Sequence, residues 1–161
     1  MTDHPSTRRP SPLTLWSIAA SLLLGAGAVP AQSILSDSGP KGASLCKPDE
    51  HTLCLDQGRF AITATFQQTP TGPSIDAHAV PVTDQTGDFW FFDPNNIELV
   101  VKILNGCVGF DSFWFFAAGL TNVGVDILVQ DLQSGTMKRY SNSFGAAFMP
   151  IQDTGAFHSC P

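Results

Sequence analysis

The sequence predicts an all-β fold: a two-sheet antiparallel β-sandwich of about seven or eight strands, disulfide-bonded. Three observations predict it. Short runs alternate apolar and polar residues with the period of two that marks a half-buried strand. Turn residues interrupt these runs roughly every eight to twelve positions, the spacing of a sandwich or barrel. Beyond the first apolar segment, no long stretch carries the 3.6-residue rhythm of an amphipathic helix.

Residues 52–57 (TLCLDQ) alternate Leu53 and Leu55 with polar neighbours. Residues 58–68 (GRFAITATFQQ) set Phe60, Ile62, Ala64 and Phe66 against Arg59, Thr63, Thr65 and Gln67. Pro70, Gly72 and Pro73 then make a loop. Residues 77–83 (AHAVPVT) read as a short edge strand, because Pro81 has no N–H to give to a ladder. Strands follow at 87–93 (GDFWFFD) and, after a Pro-Asn-Asn turn, at 97–105 (IELVVKILN). In the second of these, Ile97, Leu99, Val101 and Ile103 share one face, and Glu98, Val100 and Lys102 the other. Strands at 112–119, 122–131 and 136–142 complete the series, the last two joined at Gln-Ser-Gly. Residues 143–161 are punctuated by Gly and Pro and read as an irregular tail.

The tetrapeptide Phe-Trp-Phe-Phe occurs at 89–92 and again at 113–116. Neighbouring side chains of a strand point to opposite faces, so each repeat splits in two. Phe89 and Phe91 take one side, Trp90 and Phe92 the other; Phe113 and Phe115 separate likewise from Trp114 and Phe116. Strand 97–105 is expected between the two aromatic strands, with one set of rings packed in the core. The other set is expected under the tail, through Phe144, Phe148, Met149 and Phe157. If uncovered instead, Trp90 and Trp114 become candidate ligand-binding residues, able to stack on sugar rings.

Arg8 and Arg9 followed by LTLWSIAASLLLGAGAV and the small residues Val29 and Ala31 form the pattern of a secretory signal peptide, 1–31. Residues 32–45 read as a flexible leader and 46–161 as the β-sandwich domain. The expected location is therefore secreted, periplasmic or extracellular, with no membrane anchor after cleavage. The formal charge of −6 argues against nucleic acid as a partner, since phosphate backbones select for Lys and Arg. Cys46, Cys54, Cys107 and Cys160 allow three pairings. Cys46–Cys54 and Cys107–Cys160 are favoured, one closing a local loop and the other tying down the C-terminus.

Little here points to catalysis. His51, His78 and His158 stand in no recognisable motif, and a thiol nucleophile is unexpected if the cysteines are bridged. The Cys46–Cys54 spacing does not suit zinc, so no metal and no cofactor is expected there. Asp84, Asp88 and Asp93 are weak calcium candidates, better read as turn residues. Glu98 is expected to pair with Arg59 or Lys102.

The segments LCLDQGRFAITATF, TGDFWFFDPNNIELVVKILNGC, FWFFAAGLTNVGVDILVQDLQSGTMKRYSN and PIQDTGAFHSC together resemble a recurring β-rich domain of secreted bacterial proteins, found as a C-terminal appendage or alone behind a signal peptide. The resemblance covers about residues 46–161. It implies an extracytoplasmic module with no assigned activity, so no catalytic residue carries over. The expected function is a non-catalytic module for binding or adhesion outside the cytoplasm, its partner a polysaccharide or another protein. A purely structural or display module is the alternative, and a small secreted hydrolase trails.

Overall fold

The computed structural model describes residues 45–161. The segments expected as signal peptide, 1–31, and as leader, all but its last residue, lie outside the described residues. Ten strands form in chain order: β1 (Thr52–Leu55), β2 (Phe60–Gln67), β3 (Ile75–Asp76), β4 (His78–Pro81), β5 (Thr86–Trp90), β6 (Ile97–Asn105), β7 (Phe113–Gly119), β8 (Gly124–Asp131), β9 (Met137–Asn142) and β10 (Ile151–Phe157). Among the described residues, the one helical element is a turn at Cys107–Phe110, whose Val108 and Gly109 leave helical geometry.

The strands make two five-stranded antiparallel sheets, as the alternation predicts. The first runs β1-β2-β8-β9, with the short β3 also on β2. The second runs β10-β7-β6-β5-β4. β6 lies between the two aromatic strands, and β4 with its Pro81 is an edge, as expected.

Alternation delivers the core. Leu53, Leu55, Phe60, Ile62 and Phe66 from the first sheet meet Phe89, Leu99, Val101, Ile103, Phe113 and Phe115 from the second. Phe66 stacks on Phe91 with ring centres 4.6 Å apart, and Phe60 lies 5.1 Å from Phe113 and 5.2 Å from Phe157. Rings of this size bury about 150–250 Å² each, so one half of each Phe-Trp-Phe-Phe repeat supplies much of the apolar burial.

Three expectations are corrected. β5 ends at Trp90, where the β5–β6 register shifts: Phe89 faces Leu99, but Trp90 faces Ile97. The extra residue, Glu98, is a bulge that turns Ile97 out to 42% exposure while Glu98 itself is buried. Second, the tail is not a lid. Ile151–Phe157 pairs with β7 and extends the second sheet at its edge. Only Phe148 and Phe157 of its four proposed covering residues are buried; Phe144 and Met149 are exposed. Third, Arg59 pairs with Asp131 rather than Glu98. Glu98 instead accepts a hydrogen bond from Asn96 Nδ2.

The Arg59–Asp131 pair joins the start of β2, the end of β8 and the chain terminus. Arg59 Nε and Nη2 donate to the two oxygens of Asp131 at 3.0 and 2.8 Å. Nη2 also donates to the Ser159 carbonyl at 2.6 Å, and the guanidinium lies 4.1 Å from the Phe113 ring centre. Asp131 is fully buried and also accepts from the Ser134 and Ser159 hydroxyls and the Gln133 amide. Burial pushes its pKa up. The Arg59 guanidinium, the two hydroxyls and that amide outweigh burial and hold the carboxyl well below the usual range. Both disulfides form as favoured, Cys46–Cys54 and Cys107–Cys160.

A depressed carboxyl stabilises the fold above its unfolded pKa of about 3.9 and loses that contribution as pH falls through the folded value. Replacing Asp131 by Asn leaves Arg59 buried without its countercharge, and urea unfolding at pH 7 should show a loss of about 3–5 kcal/mol. The loss should shrink as pH drops below about 4, where the parent carboxyl begins to protonate in the unfolded chain. The Cys107–Cys160 bond closes a sequence separation of 53. The double Cys→Ser variant of this pair should lose about 4 kcal/mol in the same measurement.

Candidate functional site

Trp90, Trp114 and Phe116 lie on the outer face of the second sheet, while Phe92, past the end of β5, sits edge-on to Phe66 with ring centres 5.2 Å apart. Across that face the register aligns β5 Thr86, β6 Lys102, β7 Phe116 and β10 Gln152. The neighbouring row is Val80, Asp88, Val100 and Ala118, and Leu104 faces Trp114. Because β10 continues the sheet sideways, the chain end leaves this face open.

Three rings form a row. Phe110, from the Cys107–Phe110 turn, sits edge-on to Trp114 at 4.8 Å, and Trp114 sits edge-on to Phe116 at 6.4 Å. Phe110 is 65% exposed, while Trp114 and Phe116 are half-buried. Trp114 Nε1 donates to Ser112 Oγ at 3.1 Å, which fixes the indole. Gly106 makes room for it: a Cβ there would come within 2.7 Å of the indole. The Lys102 ammonium lies 4.8 Å from the Phe116 ring centre, a cation–π distance. Beside this row runs a shallow groove of about 330 Å³, lined by Val100, Lys102, Phe116, Pro150, Ile151 and Gln152.

Trp90 lies on the same face but is occupied otherwise. Its indole stacks on the His78 imidazole, 3.7 Å between centres and 7° from parallel. Of the two tryptophans singled out from sequence, Trp114 therefore belongs to the open aromatic row and Trp90 to a second cluster.

That second cluster is one that spacing alone conceals. The loop closed by Cys46–Cys54 runs along the free edge of β4, where the Ala79 amide donates to the Glu50 carbonyl at 2.8 Å. This brings Glu50 and His51 beside His78. The ligand-type atoms of the three lie within 4.8 Å of one another.

The calcium candidates are not gathered. Asp93 closes its own turn, accepting from the Asn95 amide at 2.8 Å. Asp84 accepts from the Gln57 amide at 2.8 Å across the β1–β2 turn. Asp88 stands on the open face, where burial pushes its pKa up. All four cysteines are bridged, which leaves no thiol nucleophile among the described residues. His158 Nδ1 is 3.0 Å from the Asp111 carbonyl, near the chain end.

Two disulfides are bonds of a non-reducing compartment. No helix among the described residues is long and apolar enough to cross a membrane. No family model, curated protein or solved structure matches the chain.

Asp88 makes a test of this face. A carboxyl with a raised folded pKa disfavours the ionised native state as pH rises through that value. Asp88→Asn should therefore raise the urea midpoint at pH 7, and parent and variant should converge below about pH 4, where both side chains are neutral.

Proposed function

We propose that this chain is a secreted, non-catalytic binding module that engages a polysaccharide through the outer face of the second sheet. The observation that carries the reading is the open row Phe110–Trp114–Phe116, flanked by Lys102 and Gln152. An exposed apolar patch rimmed by polar groups is the usual mark of an interaction site. The row offers apolar ring surface for the flat faces of sugar rings. Lys102 and Gln152 offer donors and an acceptor for hydroxyls at the ring edges. The negative net charge favours a neutral or basic polymer over an acidic one.

The signal-peptide pattern and the disulfides support release from the cytoplasm. The resemblance to the secreted bacterial domain fits a module of this kind.

Affinity electrophoresis through gels cast with neutral, amino and acidic polysaccharides tests the proposal. The chain should be retarded in one of the neutral or amino gels. The Trp114→Ala/Phe116→Ala variant should weaken that retention by about thirtyfold, the effect of losing about 2 kcal/mol from an aromatic anchor. Free migration of the parent through every gel overturns the sugar-binding reading and favours the structural or display module.

A further inference from the structure

We propose that Glu50, His51 and His78 form a binding site for a divalent transition-metal ion, with zinc as its natural occupant. Two imidazoles and one carboxylate are a ligand set that zinc and copper prefer and that calcium and magnesium do not. The three side chains come from two separate segments. The Cys46–Cys54 loop carries Glu50 and His51, and β4 carries His78.

Each imidazole is oriented by something other than an ion. His51 Nδ1 lies 3.0 Å from the Ala77 carbonyl, so it holds the proton and donates there. That leaves Nε2 with its lone pair turned toward the cluster, 3.9 Å from Glu50 Oε2. A backbone carbonyl behind a histidine is the usual outer partner of a metal-binding imidazole. His78 is held flat against Trp90, and its Nδ1 is 2.9 Å from Glu50 Oε1. The two imidazole centres are 5.0 Å apart.

The distances suit a small closure. Tetrahedral ligands about 2.1 Å from zinc stand about 3.4 Å from one another. The present spacing, within 4.8 Å, contracts to that by small turns of the two imidazoles, with Glu50, whose side chain is 69% exposed, free to follow. Three protein ligands leave a fourth position for water. The bound ion would reinforce the contact that the Ala79–Glu50 backbone bond already makes between the disulfide loop and β4. This site is separate from the Trp114 row and does not depend on what that row binds.

Calorimetric titration of zinc chloride into the purified chain tests the site. One zinc should bind per chain, with calcium unable to compete. His51→Ala and His78→Ala should each weaken binding roughly tenfold or more, and His158→Ala should leave it unchanged. Glu50→Gln, at the most exposed position, supplies the test if a histidine variant misfolds, and it too should weaken binding. Copper should quench the fluorescence of Trp90, and Trp90→Phe should remove that component. No saturable zinc binding at millimolar concentration, or binding that survives Glu50→Gln together with either histidine change, overturns the proposal and leaves a hydrogen-bonded surface cluster.

Discussion

The last ten residues decide what this molecule can present to its surroundings. They are held in three ways: the β7–β10 ladder, the Cys107–Cys160 bond, and the grip of Arg59 on Ser159. Together these draw the chain along the edge of the second sheet rather than across its face. Had the tail lain over the sheet, the outward rings would be core. Because it lies beside the sheet, Phe110, Trp114 and Phe116 border solvent. The same edge placement lets Asp153 reach across to the first sheet, where it accepts from the Tyr140 hydroxyl at 2.9 Å and the Lys138 ammonium at 3.0 Å. Burial, then the Asp153 carboxylate, push the Tyr140 phenol well up, so that hydroxyl stays a donor.

The two open sides of the sandwich are thus closed by different chemistry. On one side, β9 and β10 meet through Tyr140, Lys138 and Asp153, with Phe115 stacked on Tyr140 at 4.7 Å. On the other, the β1 region meets the β4–β5 region through backbone bonds: Asp56 N to the Asp84 carbonyl and Ala79 N to the Glu50 carbonyl. The Arg59–Asp131 pair sits between the sheets at one end. Such a buried pair adds little net stability over well-packed apolar residues, yet losing one partner costs much. Its contribution here is placement: it determines where the chain terminus lies.

Much of this was legible in the residues. Strand β6 appears with the bounds its alternation defines, and the second Phe-Trp-Phe-Phe repeat divides between core and outer face as the pleat requires, whereas the first leaves its strand after Trp90. Both disulfides join the pairs that the sequence favours, one a local loop and the other a long-range tie. What escaped did so for physical reasons. In β10 the inward position opposite Phe115 is Asp153, which finds its partners in the other sheet, and Gly155 stands near a register shift. A polar inward residue and a glycine erase the period-two signal. The bulge at Glu98 reverses the alternation for Ile97, and no composition rule marks it. Arg59 and Asp131 are 72 positions apart, and His51 and His78 meet only because the disulfide loop folds onto β4. Sequence spacing carries no record of such encounters.

The outer face of the second sheet is open because the chain end runs beside it. Acrylamide quenching of Trp114, read in a chain whose other tryptophans are replaced by phenylalanine, measures that directly. An open face with a half-buried indole predicts a quenching constant between those of a core tryptophan and a free indole. A constant as small as that of a fully buried ring would mean that the tail or a loop covers the face, and would contradict the account.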